Sequence, residues 1–408
     1  MPTLLQINTT LNRGSTGRIA EEIGLMAIAN GWECFIAHGP RITNPSQLHA
    51  IQTTSSFDEK IHGGWYSLLQ DKHGLGSIQA MKRLIHQIGS EISPDIIHLH
   101  NIHGYYLNYR ILFEYLQKNE IPVVWTLHDC WPFTGHCVHF ELAGCNKWKT
   151  CCYHCSQTNA YPRSLFIDNS RRNFQLKKKL FTSIGDRLTI VPVSDWLAGL
   201  VKESFLGECN VQVIHNGIDL QTFGPSDPRE LIATNNLSGK TIILGVASPW
   251  SERKGLYDFV KLQTMLPQSQ YTIVLVGLSD KQSQSLPKGI IGIKQTQSMQ
   301  ELAQWYSAAD VLINSTYEDN FPTVNLEAMA CGTPVITYRT GGSPEAITKE
   351  TGFVVAQGDL NGVIAAIHAI EQKGKSAYQE ACRSRAEICF DKQMQFHQYI
   401  NLYNSLLK

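Results

Sequence analysis

Residues 310–345, DVLINSTYEDNFPTVNLEAMACGTPVITYRTGGSPE, collect the residue types that could hold a charged, hydroxyl-bearing small molecule. Two apolar runs, 311–313 and 334–336, bracket an acidic turn at Glu318 and Asp319, a helix carrying Glu327, and the paired glycines Gly341 and Gly342. Strand, acidic loop, helix, strand and Gly-rich turn is the layout of a ligand site at the carboxyl edge of a parallel sheet. The first amides of a helix starting near Thr323 lack partners within it, and Gly341-Gly342 lets the main chain approach a ligand with no side chain in the way. Such amides suit phosphate, while carboxylates accept hydrogen bonds from hydroxyls. The plainer reading is that the acids cap the helix and solvate the loop.

Other residues could serve the same chemistry. Arg253 and Lys254 stand immediately before Gly255 and a helix, where a guanidinium fork and a compact ammonium can meet a diphosphate. The strand IPVVWTLHDCWPF delivers His128 and Asp129 to its C-terminal end, where a histidine can donate to a sugar hydroxyl or a phosphate oxygen. Alternatively these two form a hydrogen-bonded pair that shapes the loop. His98, His100 and His103 alternate with apolar residues and read as a polar strand end, His103 being the member placed to see substrate. Near the N-terminus, Arg13, Gly14 and Gly17 lie between a strand at 4–7 and a helix, but the spacing is not G-x-G-x-x-G, so no nicotinamide cofactor is expected.

The run EDNFPTVNLEAMACGTPVIT followed by GGSPE resembles the donor-binding signature of retaining glycosyltransferase family 4, closest to members that build bacterial polysaccharides. The resemblance implies the GT-B arrangement: an α/β chain of two Rossmann-like domains facing across a cleft. It also implies transfer of a sugar from a nucleoside diphosphate sugar to a hydroxyl of a growing, lipid-linked polysaccharide, with retained configuration, without a catalytic cofactor and independently of metal. The family's two acids lie eight residues apart, which makes Glu327 the second and Asp319 the first by register, with Glu318 as its competitor. Arg253, Lys254, Glu318, Asn320, Phe321, Pro322, Thr323, Gly341, Gly342 and Glu345 are then the donor-binding set. His128 contacts the transferred sugar, and Arg13, Gly14, Gly17 and His103 lie on the acceptor side. Family members commonly carry an arginine five residues before the lysine; here that position is Pro249. The alternatives are a nucleotide-sugar epimerase of the same fold and a non-catalytic sugar-nucleotide binding protein.

One segment needs a separate account. Cys130, Cys137, Cys145, Cys151, Cys152 and Cys155 cluster in a chain that has 11 cysteines. A cytoplasmic location argues against stable disulfides. One structural zinc ion could instead fix the loop, with Cys152 and Cys155 as a close pair and Cys137 and Cys145 completing the set. The other readings are unligated buried thiols or a redox-sensitive loop.

The elements that must position these residues follow from length and pattern. A chain of 408 residues exceeds one ordinary core and divides into a domain over 1–218 with the cysteine-rich insertion near 130–155, a donor domain over 219–390, and a terminal helix over 391–408 that crosses back. The 35 basic and 35 acidic residues balance, so there is no polycationic face of the kind that binds nucleic acid. No run of 18 apolar residues occurs, and MPTLLQINTT lacks the features of a secretory signal, which places the protein in the cytoplasm. Arg163, Arg171, Arg172 and Lys177 to Lys179 form a basic helical segment that is either solvated or turned toward anionic lipid at the inner membrane face.

Overall fold

The computed structural model describes residues 1–407, which divide into two compact units: Met1–His215 with the C-terminal stretch from Gln395, and Asn216–Met394. In the first unit the elements are β1 (Thr3–Asn8), α1 (Gly14–Ala29), β2 (Glu33–His38), β3 (His49–Gln52), α2 (Ser56–Ile61), α3 (Ile78–Gln87), β4 (Ile96–Leu99), α4 (Tyr109–Lys118), β5 (Val123–Leu127), α5 (Ser170–Phe181), β6 (Leu188–Pro192), α6 (Asp195–Glu203) and β7 (Asn210–Val211). The sheet runs β3-β2-β1-β4-β5-β6-β7 with every pairing parallel. Helices cover a parallel sheet on both faces, so its strands are apolar without alternation. Accordingly all six residues of β1, TLLQIN, and all five of β5, VVWTL, are buried.

The second unit opens with α7 (Arg229–Thr234) and β8 (Thr241–Val246), then α8 (Leu256–Met265), β9 (Tyr271–Val276), α9 (Asp280–Ser285), β10 (Ile290–Ile293), α10 (Met299–Ala308) and β11 (Val311–Asn314). It continues with α11 (Thr323–Ala330), β12 (Val335–Tyr338), β13 (Gly352–Val355), α12 (Leu360–Lys373) and α13 (Ser376–Phe390). Its sheet, β10-β9-β8-β11-β12-β13, is again wholly parallel. The α/β class with two Rossmann-like sheets is therefore what the chain adopts.

The last helix, α14 (Lys392–Leu406), completes the first unit's core. Phe396, Tyr399, Ile400, Leu402 and Tyr403 pack with Ile19, Ile23, Trp32 and Ile36. Tyr399 and Tyr403 are four residues apart, hence on one helix face. The Tyr399 hydroxyl accepts a hydrogen bond from Thr126 Oγ1 at 3.0 Å, and that of Tyr403 meets His98 Nδ1 at 2.6 Å. His98 and His100, expected at a polar strand end, are instead fully interior, because each finds polar partners there: Tyr403 of the returning helix for His98, and Gln6 of β1 with His128 for His100. No helix among the described residues is long and apolar enough to cross a membrane.

Truncating a buried aromatic leaves both lost transfer energy and a cavity, so Phe396→Ala should cost about 3–5 kcal/mol. Amide exchange should accelerate in β1 and β4 and stay unchanged in β8 and β9.

Candidate functional site

Each sheet reverses its strand order once, between β1 and β4 in the first unit and between β8 and β11 in the second. Loops at the carboxyl ends of the two strands flanking such a reversal diverge and leave a crevice, which is where ligands enter this architecture. In the second unit those loops hold Arg253 and Lys254 after β8, and Glu318 to Phe321 after β11.

The two loops are knitted by their backbones. Gly255 has φ +73°, and a Cβ there would lie 2.3 Å from the carbonyl oxygen of Ser315, so only glycine admits this approach. The Tyr317 amide donates to the Arg253 carbonyl at 2.7 Å, and Arg253 Nη1 donates to the Glu318 carbonyl at 2.5 Å. Lys254 Nζ forms an ion pair with the Asp319 carboxylate, both side chains about one-fifth exposed. Asp258 on α8 fixes the far side, accepting from the hydroxyls of Tyr317 at 2.7 Å and Tyr338 at 2.9 Å.

α11 begins after Pro322 without a side-chain cap, and its residues 325–330 are all buried. Glu327 projects from this helix and accepts from the Tyr306 hydroxyl at 2.6 Å. Burial pushes the Tyr306 phenol well above its usual range and the neighbouring Glu327 charge adds to the rise, so this hydroxyl stays a donor. Asn325 accepts from Asn314 Nδ2 at 2.9 Å and donates to Ser343 Oγ at 3.0 Å, while Ser343 Oγ meets Thr337 Oγ1 at 2.6 Å. That chain ties the ends of β11 and β12 to α11 and to the 3-10 turn Ser343–Ala346 carrying Glu345. Gly341, at φ +50°, and Gly342 lead into the turn. Asn320, Phe321 and Pro322 are buried, and the Phe321 carbonyl accepts from Asn216 Nδ2 at 3.1 Å.

The first unit presents a different chemistry at its reversal. Arg13 is exposed before α1; a Cβ on Gly17 would come 2.7 Å from Thr10 Oγ1, whereas Gly14 meets nothing and serves the turn at φ +69°. His100 contacts Gln6 Oε1 at 2.9 Å and His128 Nε2 at 3.3 Å, with the two imidazoles stacked. Asp129 pairs not with its neighbour His128 but with His103, Oδ2 to Nε2 at 2.6 Å, and its Oδ1 accepts from the Trp131 amide at 2.9 Å. Burial alone would raise the Asp129 carboxyl, yet the His103 partner and the Trp131 amide hold it below its usual value. The other ring nitrogen of His103 meets the Tyr161 hydroxyl at 3.3 Å. Burial pushes His128 down to about 4, more than Asp129 lifts it, so His128 is a neutral imidazole at pH 7.

Residues 128–169, between β5 and α5, contain only two 3-10 turns, Trp131–Phe133 and Lys147–Lys149. Phe133, Phe140 and Trp148 form a small aromatic core there. All the cysteines are free thiols. Cys137 and Cys155 share a hydrogen bond, which together with burial raises the Cys137 thiol and, against the effect of burial, lowers that of Cys155. Cys145 and Cys155 lie close enough to bear on Cys152, but no three of these sulfurs fall within 4.8 Å of one another. Lys177, expected on a solvated or lipid-facing helix side, is 1% exposed. It shares a face of α5 with Phe174 and Phe181 and so turns inward with them.

Several residues that build these sites carry no signature of their own, namely Asn314, Asn325, Ser343, Tyr306 and Asp258. The one available signal was Asn325, a second polar residue beside Glu327 in the buried part of the helix TVNLEAMA.

His62 and His128 both have folded values near 4 against about 6.5 for a free imidazole. Between those limits the unfolded chain binds protons that the folded unit refuses, so stability is intact above pH 6.5 and is lost as pH falls toward 4. The urea midpoint of the first unit should drop between pH 7 and pH 5, and His62→Gln should flatten the drop.

Comparison with known proteins agrees with this geometry. Residues 29–222 match the family described as Glycosyltransferase Family 4, and residues 240–373 match Glycosyl transferases group 1. An Escherichia coli protein named as a colanic acid biosynthesis glycosyl transferase, WcaC, is 24% identical over 99% of this chain and 100% of its own length. The D-inositol 3-phosphate glycosyltransferase of Mycobacteroides abscessus is 30% identical over 42% of this chain and 41% of its own. Among solved structures, sucrose-phosphate synthase of Thermosynechococcus elongatus superposes with a TM-score of 0.74 at 19% identity, covering 100% of this chain and 99% of that one. HepE of Anabaena, solved in complex with UDP-glucose, gives 0.68 at 15% identity, covering 99% of each chain. The chain belongs to glycosyltransferase family 4, has the GT-B fold, and is related to the colanic acid biosynthesis transferase WcaC.

Proposed function

We propose that this protein moves a sugar from a nucleoside diphosphate sugar to a hydroxyl of a growing, lipid-linked bacterial polysaccharide, with retention of anomeric configuration. The observation that carries the reading is the pairing of Lys254 with Asp319, beside Arg253 and Glu318, where the second sheet reverses. A diphosphate entering there takes Lys254 as a point charge, and the uncapped start of α11 with Gly341-Gly342 offers main-chain amides. Asp319 and Glu327 then accept from donor hydroxyls, Asp319 once its lysine has turned to the phosphate. Glu318, whose backbone is already engaged by Arg253, is the competing acid. The known HepE complex makes UDP the first nucleotide to test.

On the first unit, a neutral His128 offers hydrogen bonds to a sugar without adding charge, and Arg13, Gly14, Gly17 and His103 border the acceptor. Retention requires no second carboxylate as a nucleophile; the departing diphosphate takes the acceptor proton while fixed cations and amides stabilise its charge. Because those charges come from side chains, transfer should persist when magnesium and manganese are omitted from the assay. The enzyme would work in the cytoplasm, against the inner membrane face.

Nucleoside diphosphate release should depend on an added glycan or lipid-linked acceptor, and proton NMR of the product should show the donor's configuration. Glu327→Gln should lower kcat by about 10²–10³-fold with nucleotide affinity nearly unchanged, in the range seen when one preorganised polar contact is lost. Conversion of the sugar nucleotide without any acceptor would identify an epimerase, and binding of the sugar nucleotide with no release of nucleoside diphosphate would identify a binding protein.

A further inference from the structure

The loop between β5 and α5 holds polar groups that glycosyl transfer does not use and that the thiols alone do not satisfy. Lys177 is enclosed and its Nζ donates to the carbonyls of Trp131 at 2.7 Å and Thr134 at 3.0 Å, with the ring of Trp131 beneath it at 3.3 Å. It makes no ion pair among the described residues; the acidic groups that act on it from a distance are Cys152 and Cys137 and, more weakly, Asp129 and Asp71. An ammonium buried without a directly paired anion is costly, and the neutral thiols supply none. His136 and Asp71 form a second enclosed pair, Nδ1 to Oδ1 at 2.6 Å, and His136 Nε2 has no hydrogen-bond partner although wholly buried beside Cys155. Finally, Gly135 passes so close to Ser170 and Cys152 that a Cβ would lie 2.2 Å from the Ser170 carbonyl, and this approach aims its amide at Cys152 Sγ, 3.2 Å away. A backbone amide aimed at sulfur favours a thiolate over a thiol.

We propose that Cys137, Cys145, Cys152 and Cys155 bind one structural zinc ion, and that Lys177 and the Asp71–His136 pair are its outer shell, Lys177 offsetting part of its negative charge and His136 donating to a thiolate. On binding, the four thiols release their protons to solvent, and Zn²⁺ with four thiolates leaves a centre of charge 2−. That anion gives Lys177 its counter-charge, and the thiolate of Cys155 gives His136 Nε2 an acceptor. Drawing the sulfurs to the roughly 2.3 Å Zn–S bonds of a tetrahedral site requires the loop to contract, since no three of them lie within 4.8 Å of one another, and the loop has no helix or strand to resist this. The centre acts structurally: it fixes the segment that carries Tyr161 to His103.

The test is elemental analysis of the full chain purified under reducing conditions, with cobalt exchange as a second readout. About one zinc per chain is expected, the stoichiometry of a closed tetrahedral site, and the cobalt form should show the visible spectrum of a tetrahedral tetrathiolate. Cys145→Ser should lose zinc or the tetrathiolate spectrum, whereas His136→Gln should keep both. Stripping zinc from the parent should raise amide exchange across residues 130–169 and leave the second unit unchanged, a measurement that stands if the cysteine variants do not fold. A folded, reduced parent that neither carries nor takes up zinc overturns the proposal, as does a Cys137–Cys155 disulfide in zinc-free protein. Zinc lost from His136→Gln but kept by Cys145→Ser overturns the ligand assignment.

Discussion

Parallel pairing is the constraint from which the rest follows. A strand can lie parallel to its neighbour only after a crossover, so every strand here ends at the same edge of its sheet as the one beside it. Each chain of crossovers begins at a central strand, β1 or β8, runs outward on one side and then resumes on the other. The loops at that change of direction cannot cover one another. Residues far apart in sequence are thereby placed together: Lys254 with Asp319 across that change of direction in the second unit, and His103 with Asp129 at the adjoining carboxyl ends of β4 and β5 in the first.

The two sites differ in how their charges are held. In the second unit Lys254 and Asp319 neutralise each other at a partly exposed edge, and under the proposed function an incoming diphosphate would take the lysine from that pair. In the first unit the imidazoles of His98, His100 and His128 are kept neutral by burial, and the carboxylate beside them, Asp129, is kept ionised by His103 and a backbone amide. Under the proposed function a sugar hydroxyl would meet neutral hydrogen-bonding groups there. Both arrangements rest on buried polar chains, through Asn314, Asn325 and Ser343 in one unit and through Thr126, His98 and the tyrosines of α14 in the other.

Much of this was legible in the sequence, for identifiable reasons. Buried parallel strands are continuous apolar runs, so YTIVLV and VVWTL announce themselves, and the stretch 310–345 carries a strand–helix–strand pattern with its acids at a loop. Side-chain direction was harder. The run Lys177 to Lys179 reads as solvated, yet the phase set by Phe174 and Phe181 buries Lys177 and exposes the other two. Partner choice was hardest, since adjacency suggested His128 with Asp129 while the end of β4 brings His103 to that carboxylate. The placement of His98 depends on Tyr403 of α14, 305 residues away, and no local pattern encodes that contact.

The central claim is that a nucleoside diphosphate sugar is held where the second sheet reverses. Amide hydrogen exchange of the full chain with and without UDP-glucose, and with GDP- and dTDP-sugars if UDP-glucose is silent, tests it directly. Protection should appear at residues 250–257, 317–327 and 340–346 with the nucleotide that binds. Binding that protects none of these segments would contradict the account.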